Sequence, residues 1–321
     1  MVSFNSIISV AELAGLVMDH MTLPALTAFS FTSKTNYVRV QDHSHRKLRR
    51  ILSPLGFPAE SVLATLSSAS AIIVGSIALK AVSPIDPLIY ADTLDIVVAK
   101  RHLPAIKAWL TQSFAFGQPT VSPLACTPIP FIRCHKYKRD FDGRQVGVNV
   151  YTVADQSAVY EFPFYSASTS TMNFITGSGV YTGYRTLLNR RFAIRSRSVR
   201  MAGFMIGSIR GQIINDNLQL RKAQDRQFTF IEPTPASHSE DSCLCQFDSA
   251  CPSTLRNTRD NMGAYLRLLN AQDRNAIADE GARIPRTGMR PPLVSWKLAA
   301  GQEWGFAFQL TEDRLRRLHV I

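Results

Sequence analysis

Acidic residues are scarce in this chain, 24 Asp+Glu against 36 Lys+Arg, which leaves a formal charge of +12. Lysine is scarcer still: 27 of the basic residues are Arg, which favours fork-shaped recognition of phosphate or carboxylate over diffuse solvation. Five cysteines in 321 residues are too few for a disulfide scaffold and point to a reducing compartment, cytoplasmic or nuclear. The opening Met1-Val2-Ser3-Phe4-Asn5 lacks the basic flank and apolar run of a secretory signal. Long apolar runs are missing too: the longest, Ala71 to Leu79, is half a membrane span and contains Gly75-Ser76, so no membrane association is expected. With 17 Gly and 17 Pro, repetitive and collagenous chains are excluded. What is present, 45% hydrophobic and 19% charged residues, suffices for a folded core of roughly two domains' length.

The expected class is α+β. Residues 1–52 read as a helical unit: Val10, Leu13, Val17 and Met21 recur at helical spacing, and Leu26, Phe29 and Phe31 begin a second apolar segment after Leu23-Pro24. A basic run, His45 to Arg50, precedes Ser53-Pro54-Leu55-Gly56-Phe57-Pro58, whose punctuation predicts a linker. His43 and His45 have no partner at ligand spacing and are expected to be solvated. From Ser70 the pattern alternates. Ala71 to Val74 predicts a buried strand, Gly75-Ser76 a turn, Ile77 to Ala81 a helix start, Leu94 to Val98 a strand and Leu103 to Phe114 a helix. Strands over Ile129 to Tyr137 and Gln145 to Val153 flank Asp142-Gly143, a hairpin-turn dipeptide. This α/β region extends over residues 60–235. A β-rich, Cys-containing extension over residues 236–321 follows, with strands at Val294 to Leu298 and Trp304 to Phe308 and a last helix opening at Thr311.

The helical unit resembles an F-box. Glu12-Leu13, Leu23-Pro24-Ala25-Leu26, Ser33-Lys34 and Tyr37 follow the family's pattern, while its usual initial Leu-Pro is Ser9-Val10 here. The resemblance implies docking onto the Skp-type adaptor of ubiquitin ligases. The other reading of the same stripe is an ordinary helical cap.

Gly75-Ser76 followed by Asp92-Thr93-Leu94-Asp95-Ile96-Val97-Val98 has the parts a nucleotidyltransferase uses: a turn whose backbone and hydroxyl cradle phosphate, and a strand carrying carboxylates for Mg²⁺. With Met172-Asn173-Phe174-Ile175, Tyr181, Tyr184, Leu188-Asn189-Arg190-Arg191 and Cys251-Pro252-Ser253-Thr254-Leu255-Arg256, the order is similar to that of a fungal group of nucleotidyltransferase-like proteins over residues 65–300. Catalysis in such a protein would rest on Asp92 and Asp95, with Asp95 a metal ligand, Mg²⁺ and a nucleoside triphosphate as cofactors, and Gly75, Ser76, Arg190 and Arg191 as the phosphate-binding set. The family's Asp-Leu-Asp is, however, Thr93-Leu94-Asp95 here. Residues three apart on a strand face oppositely, so Asp92 replaces the missing acid only through irregular backbone. The third acid's equivalent falls on Asn149, opposite the Val146, Val148, Val150 face. A turn without ligand, and a helix cap or surface charge, are the bland readings of Gly75-Ser76 and Asp95.

Seven arginines from Arg185 to Arg210 meet no acidic residue until Asp216, a belt suited to an acidic protein, to nucleic acid or to internal pairing. His238, Cys243, Cys245 and Cys251 could hold Zn²⁺, although Cys-x-Cys is not zinc-knuckle spacing. Cys126 and Cys134 read as reduced core thiols. Three functions follow. The first is a non-enzymatic adaptor, a pseudoenzyme whose head recruits ubiquitin-ligase machinery and whose degenerate domain holds a target or phosphate ligand. The others are an active nucleotidyltransferase acting on a protein, RNA or small-molecule hydroxyl, and a nucleic-acid-binding module.

Overall fold

Side-chain caps mark where the first helices begin. The structure, a computed structural model, describes residues 11–84, 86–122, 131–166, 168–194, 220–231, 256–260, 263–269, 293–296 and 310–311. Helices α1 (Ala11–Asp19), α2 (Leu23–Ser30) and α3 (Lys34–Leu52) open the fold. The Thr22 hydroxyl accepts from the Ala25 amide and the Ser33 hydroxyl from Asn36, pairing N–H groups that a first helical turn leaves orphaned.

On α1 Leu13 is 42% exposed and Leu16 beside it is 59% exposed. The inward face is centred on Ala14 and Met18, and Leu13 lies about a quarter turn to one side of Ala14. His43 and His45 are buried rather than solvated, because α3 packs against α1 on one side and the body of the protein on another. His45 Nε2 lies 2.7 Å from the Leu269 carbonyl, and burial lowers the His43 pKa to about 4. The basic run divides by helical angle: Lys47 is buried with its ammonium on the Ser83 carbonyl, while Arg49 and Arg50 point outward to Glu60 and Asp19. The expected linker is also corrected. Ser53–Leu55 forms a 3-10 turn with Leu55 and Phe57 buried, and Arg139 donates to the carbonyls of Leu55 and Gly56 at 3.1 and 3.2 Å.

Helix α4 (Ala59–Ser68) leads into β1 (Ile72–Val74), which turns at Gly75 into α5 (Gly75–Val82). Then come β2 (Thr93–Ala99), α6 (Leu103–Ala108) with a π turn to Ser113, β3 (Thr120–Ser122), β4 (Phe131–Phe141), β5 (Arg144–Val153) and α7 (Gln156–Glu161). The β4–β5 hairpin turns at Asp142 and Gly143, with φ of 52° and 71°; positive φ at both central residues matches the right-handed twist of the strands. Strands β6 (Asn173–Thr176) and β7 (Gly179–Thr182), helix α8 (Arg185–Asn189), β8 (Phe192–Ile194), a helical stretch over residues 220–225 and β9 (Thr229–Ile231) follow. The last strands are β10 (Arg256–Asn257), β11 (Ala264–Arg267), β12 (Val294–Trp296) and β13 (Leu310–Thr311). The predicted strand at Trp304 to Phe308 lies outside the described residues, as does the helix expected to open at Thr311 except for Thr311 itself, which belongs to β13.

The result is a mixed α+β fold around an eight-stranded sheet of order β11-β7-β6-β1-β2-β5-β4-β3, in which β2 and β5 are parallel and the other pairings antiparallel. Alternation sorts its faces. Ile73, Leu94, Ile96, Val98, Val146, Val148, Val150 and Ile175 meet helices α1 to α5 in one continuous apolar cluster. Ile72, Val74, Val97, Phe174 and Tyr181 point the other way, beneath Ala158, Val159, Phe164, Tyr184 and Leu187. The opening helices therefore share a core with the sheet, and Gln41 of α3 brackets the end of β11 by donating to the Arg267 carbonyl and accepting from the Leu269 amide. Among the described residues no helix is long and apolar enough to cross a membrane.

Candidate functional site

Pairing at the centre of the sheet brings the candidate residues together. Val74 pairs with Asp95, and Asp95 with Asn149, so the strand end before Gly75, the carboxylate and the amide lie side by side. Gly75 adopts φ +71°, and a Cβ there would stand 2.6 Å from Asp95 Oδ2. Glycine thus supplies both the left-handed conformation and the space for the carboxylate. Asn149 Nδ2 donates to Asp95 Oδ1 at 2.8 Å.

Asp95 is partly exposed, yet its carboxyl is closely surrounded, and loss of hydration raises its pKa to about 6. The Asn149 bond and nearby Lys222 oppose that rise, whereas Asp92 adds to it. Asp92 itself precedes β2, is exposed and accepts from the Thr93 hydroxyl at 3.1 Å. Further along the same face, Tyr151 and buried Cys134 pair across β5 and β4. Burial pushes the Cys134 thiol up to about 11 and the Tyr151 phenol well above its usual value.

The turn has a cation seated on it. Arg226, 8% exposed, donates through Nη2 to Ser76 Oγ at 2.6 Å and to the Tyr90 carbonyl at 3.1 Å. Lys222 precedes it by one helical turn, with the Arg226 amide bonded to the Lys222 carbonyl. Arg191 reinforces the arrangement from behind: its guanidinium pairs with Asp86 and donates through Nη1 to the Arg226 carbonyl at 3.0 Å, while its own carbonyl accepts from Thr229 at 2.8 Å.

A pair of Mg²⁺ ions requires several anionic oxygens. The donors here are one carboxylate, already engaged by an amide N–H and easily protonated, and an Asn whose NH₂ must face that carboxylate because a carboxylate only accepts. Thr93 turns its proton to Asp92, and its cross-strand neighbour in β5 is Gly147, which has no side chain. These residues do not fit a two-magnesium centre. Among the described residues no group of three His, Cys, Asp or Glu could hold a metal.

No family model matches this chain, nor does any curated protein or solved structure. The assignment of the site therefore rests on its residues. Gly75, Ser76, Asp95 and Asn149 meet, Asp92 stands at the margin, and Arg190 is exposed at the end of α8. Arg191 lies behind the cation on the turn, paired internally. His238, Cys243, Cys245 and Cys251, with Arg195, Arg197, Arg200 and Arg210 of the basic belt, lie outside the described residues. Cys134 is a free, buried thiol. Sequence reasoning missed Lys222 and Arg226. Their signal was present: two cations four residues apart, interleaved with Leu220 and Ala223, which are buried.

Proposed function

We propose that this protein is a non-enzymatic adaptor in which a degenerate nucleotidyltransferase-like site holds a target or phosphate ligand and the F-box-like helices recruit a Skp-type adaptor. The observation that carries the reading is the site's donor set: one carboxylate, Asp95, bonded to an amide where a transferase would place its third acid, with Thr93 where it would place another. A turn built for close backbone approach is retained, and the charges that would organise two metal ions are missing. Phosphoryl transfer through such ions is therefore not part of the proposal.

Support for the recruiting arm comes from α1 and α2. Leu13 and Leu16 face outward on α1, and Phe31, just after α2, is 62% exposed. Leu13 and Leu16, three residues apart on α1, form an exposed apolar pair for a partner to cover. The inner face of α3 is taken up by the body of the protein, so docking would use α1 and α2.

The test is capture of purified Skp-type adaptor by the full chain and by a Leu13→Glu, Leu16→Glu variant. Binding by the parent chain and loss in the variant, with unchanged thermal unfolding, is expected. A folded parent chain that captures no adaptor removes the recruiting arm.

A further inference from the structure

Resting on the reading of the Gly75-Ser76 turn as a phosphate site, we infer that Ser76, Lys222 and Arg226 bind a phosphate chain directly, without a metal ion. A guanidinium that is nine-tenths buried beside a helix start needs an explanation, because the first turn of α5 carries partial positive charge and desolvation already disfavours the cation. The acceptors bonded to Arg226 are a hydroxyl and a backbone carbonyl, and both bonds use Nη2. Nη1 and Nε of Arg226 have no hydrogen bond to the described residues. Asp92 and Asp225 favour its charge from a distance.

The Arg226–Ser76 bond has a direction with a consequence. Arginine can only donate, so Ser76 Oγ accepts and its own proton is free to donate elsewhere, polarised by the cation behind it. A phosphate oxygen placed there would receive the Ser76 proton and the remaining guanidinium donors. Lys222 is exposed, lies one helical turn before Arg226, and its charge helps to hold the Asp95 pKa down. These two cations supply the charge that opposes a phosphate. The Arg191–Asp86 pair holds Arg226 by its carbonyl, which makes Arg191 a positioning residue.

The experiment is calorimetric titration of the full chain with inorganic tripolyphosphate and with ATP, each in excess EDTA and again in Mg²⁺. Saturable binding of tripolyphosphate in EDTA is expected, at least as tight as ATP because every polar group named here addresses phosphate. Lys222→Ala, at an exposed position, and Arg226→Lys, which keeps charge but loses the fork, should each weaken it roughly tenfold or more. The inference is overturned by absence of binding in EDTA, by ATP binding without tripolyphosphate binding, or by unchanged affinity in both variants. Its failure is separable from that of the function proposed above. A chain that binds no phosphate can still capture the Skp-type adaptor, whereas Mg²⁺-dependent nucleotide turnover lost in Asp95→Asn would overturn the degenerate-site reading itself.

Discussion

Replacing Asp95 by Asn should stabilise the protein at neutral pH, and the size and pH dependence of the gain follow from the site. The carboxyl has a pKa of about 6 in the folded chain against 3.8 for an ordinary aspartate. The folded state therefore holds a proton between these values that the unfolded state has lost, so stability falls as pH rises from 3.8 to about 6 and stays low above that. Two pKa units correspond to about 3 kcal/mol, or roughly 5 °C in melting temperature for a chain of this size. The Asn carbonyl can still accept from Asn149, and the favourable influence of Lys222 and the unfavourable one of Asp92 both lapse with the charge. Thermal unfolding of the two chains from pH 4 to pH 8 is the assay. The variant should gain nothing near pH 4 and the full difference above pH 7. A variant equal to or less stable than the parent at pH 7.5 would refute the argument that Asp95 is a costly, uncompensated carboxylate.

Other perturbations test the supports of the site. Gly75→Ala should cost about 2 kcal/mol or more, from positive φ and from contact with Asp95, and part of the loss should return in a Gly75→Ala, Asp95→Gly double variant measured by urea unfolding. Arg191→Ala leaves Asp86 buried without its cation and should destabilise by about 2 kcal/mol, a discounted value because Arg191 is about one-third exposed. Arg139→Ala removes a guanidinium lying 4.8 to 5.6 Å from the ring centroids of Phe57, Phe114, Phe116 and Phe141. It also frees the carbonyls at Leu55 and Gly56, so a loss of about 3 kcal/mol is expected, read as a lower urea midpoint.

Four strands of the sheet, β1, β2, β4 and β5, were legible from short apolar runs, from the alternation in β5 and from the left-handed Asp142-Gly143 turn, whereas β3, β6, β7 and β11 were not. The Val146, Val148, Val150 alternation placed Asn149 on the other face, and pairing β2 with β5 set it beside Asp95. What could not be read depended on long-range packing. A helix buried around much of its circumference looks basic and solvated in sequence, which hid His43, His45 and Lys47. Ser53 to Pro58 has linker composition, but burial of Leu55 and Phe57 and bonds from the distant Arg139 make it a packed turn. Arg226 and Ser76 are 150 residues apart, so their bond had no local trace beyond the spacing of Lys222 and Arg226. The arginine-rich segment supplies Arg190 and Arg191, while the cation that touches the turn is Arg226, just after the helical stretch over residues 220–225.

The central claim is that this site meets phosphate with cations and not through a metal held by Asp95. The most direct measurement is the ATP affinity of the Asp95→Asn chain beside the parent chain, in EDTA and in Mg²⁺. Removing a negative charge from beside a phosphate should leave binding as tight or tighter in both conditions. Binding that depends on Mg²⁺ in the parent chain and is lost in Asp95→Asn would contradict the account.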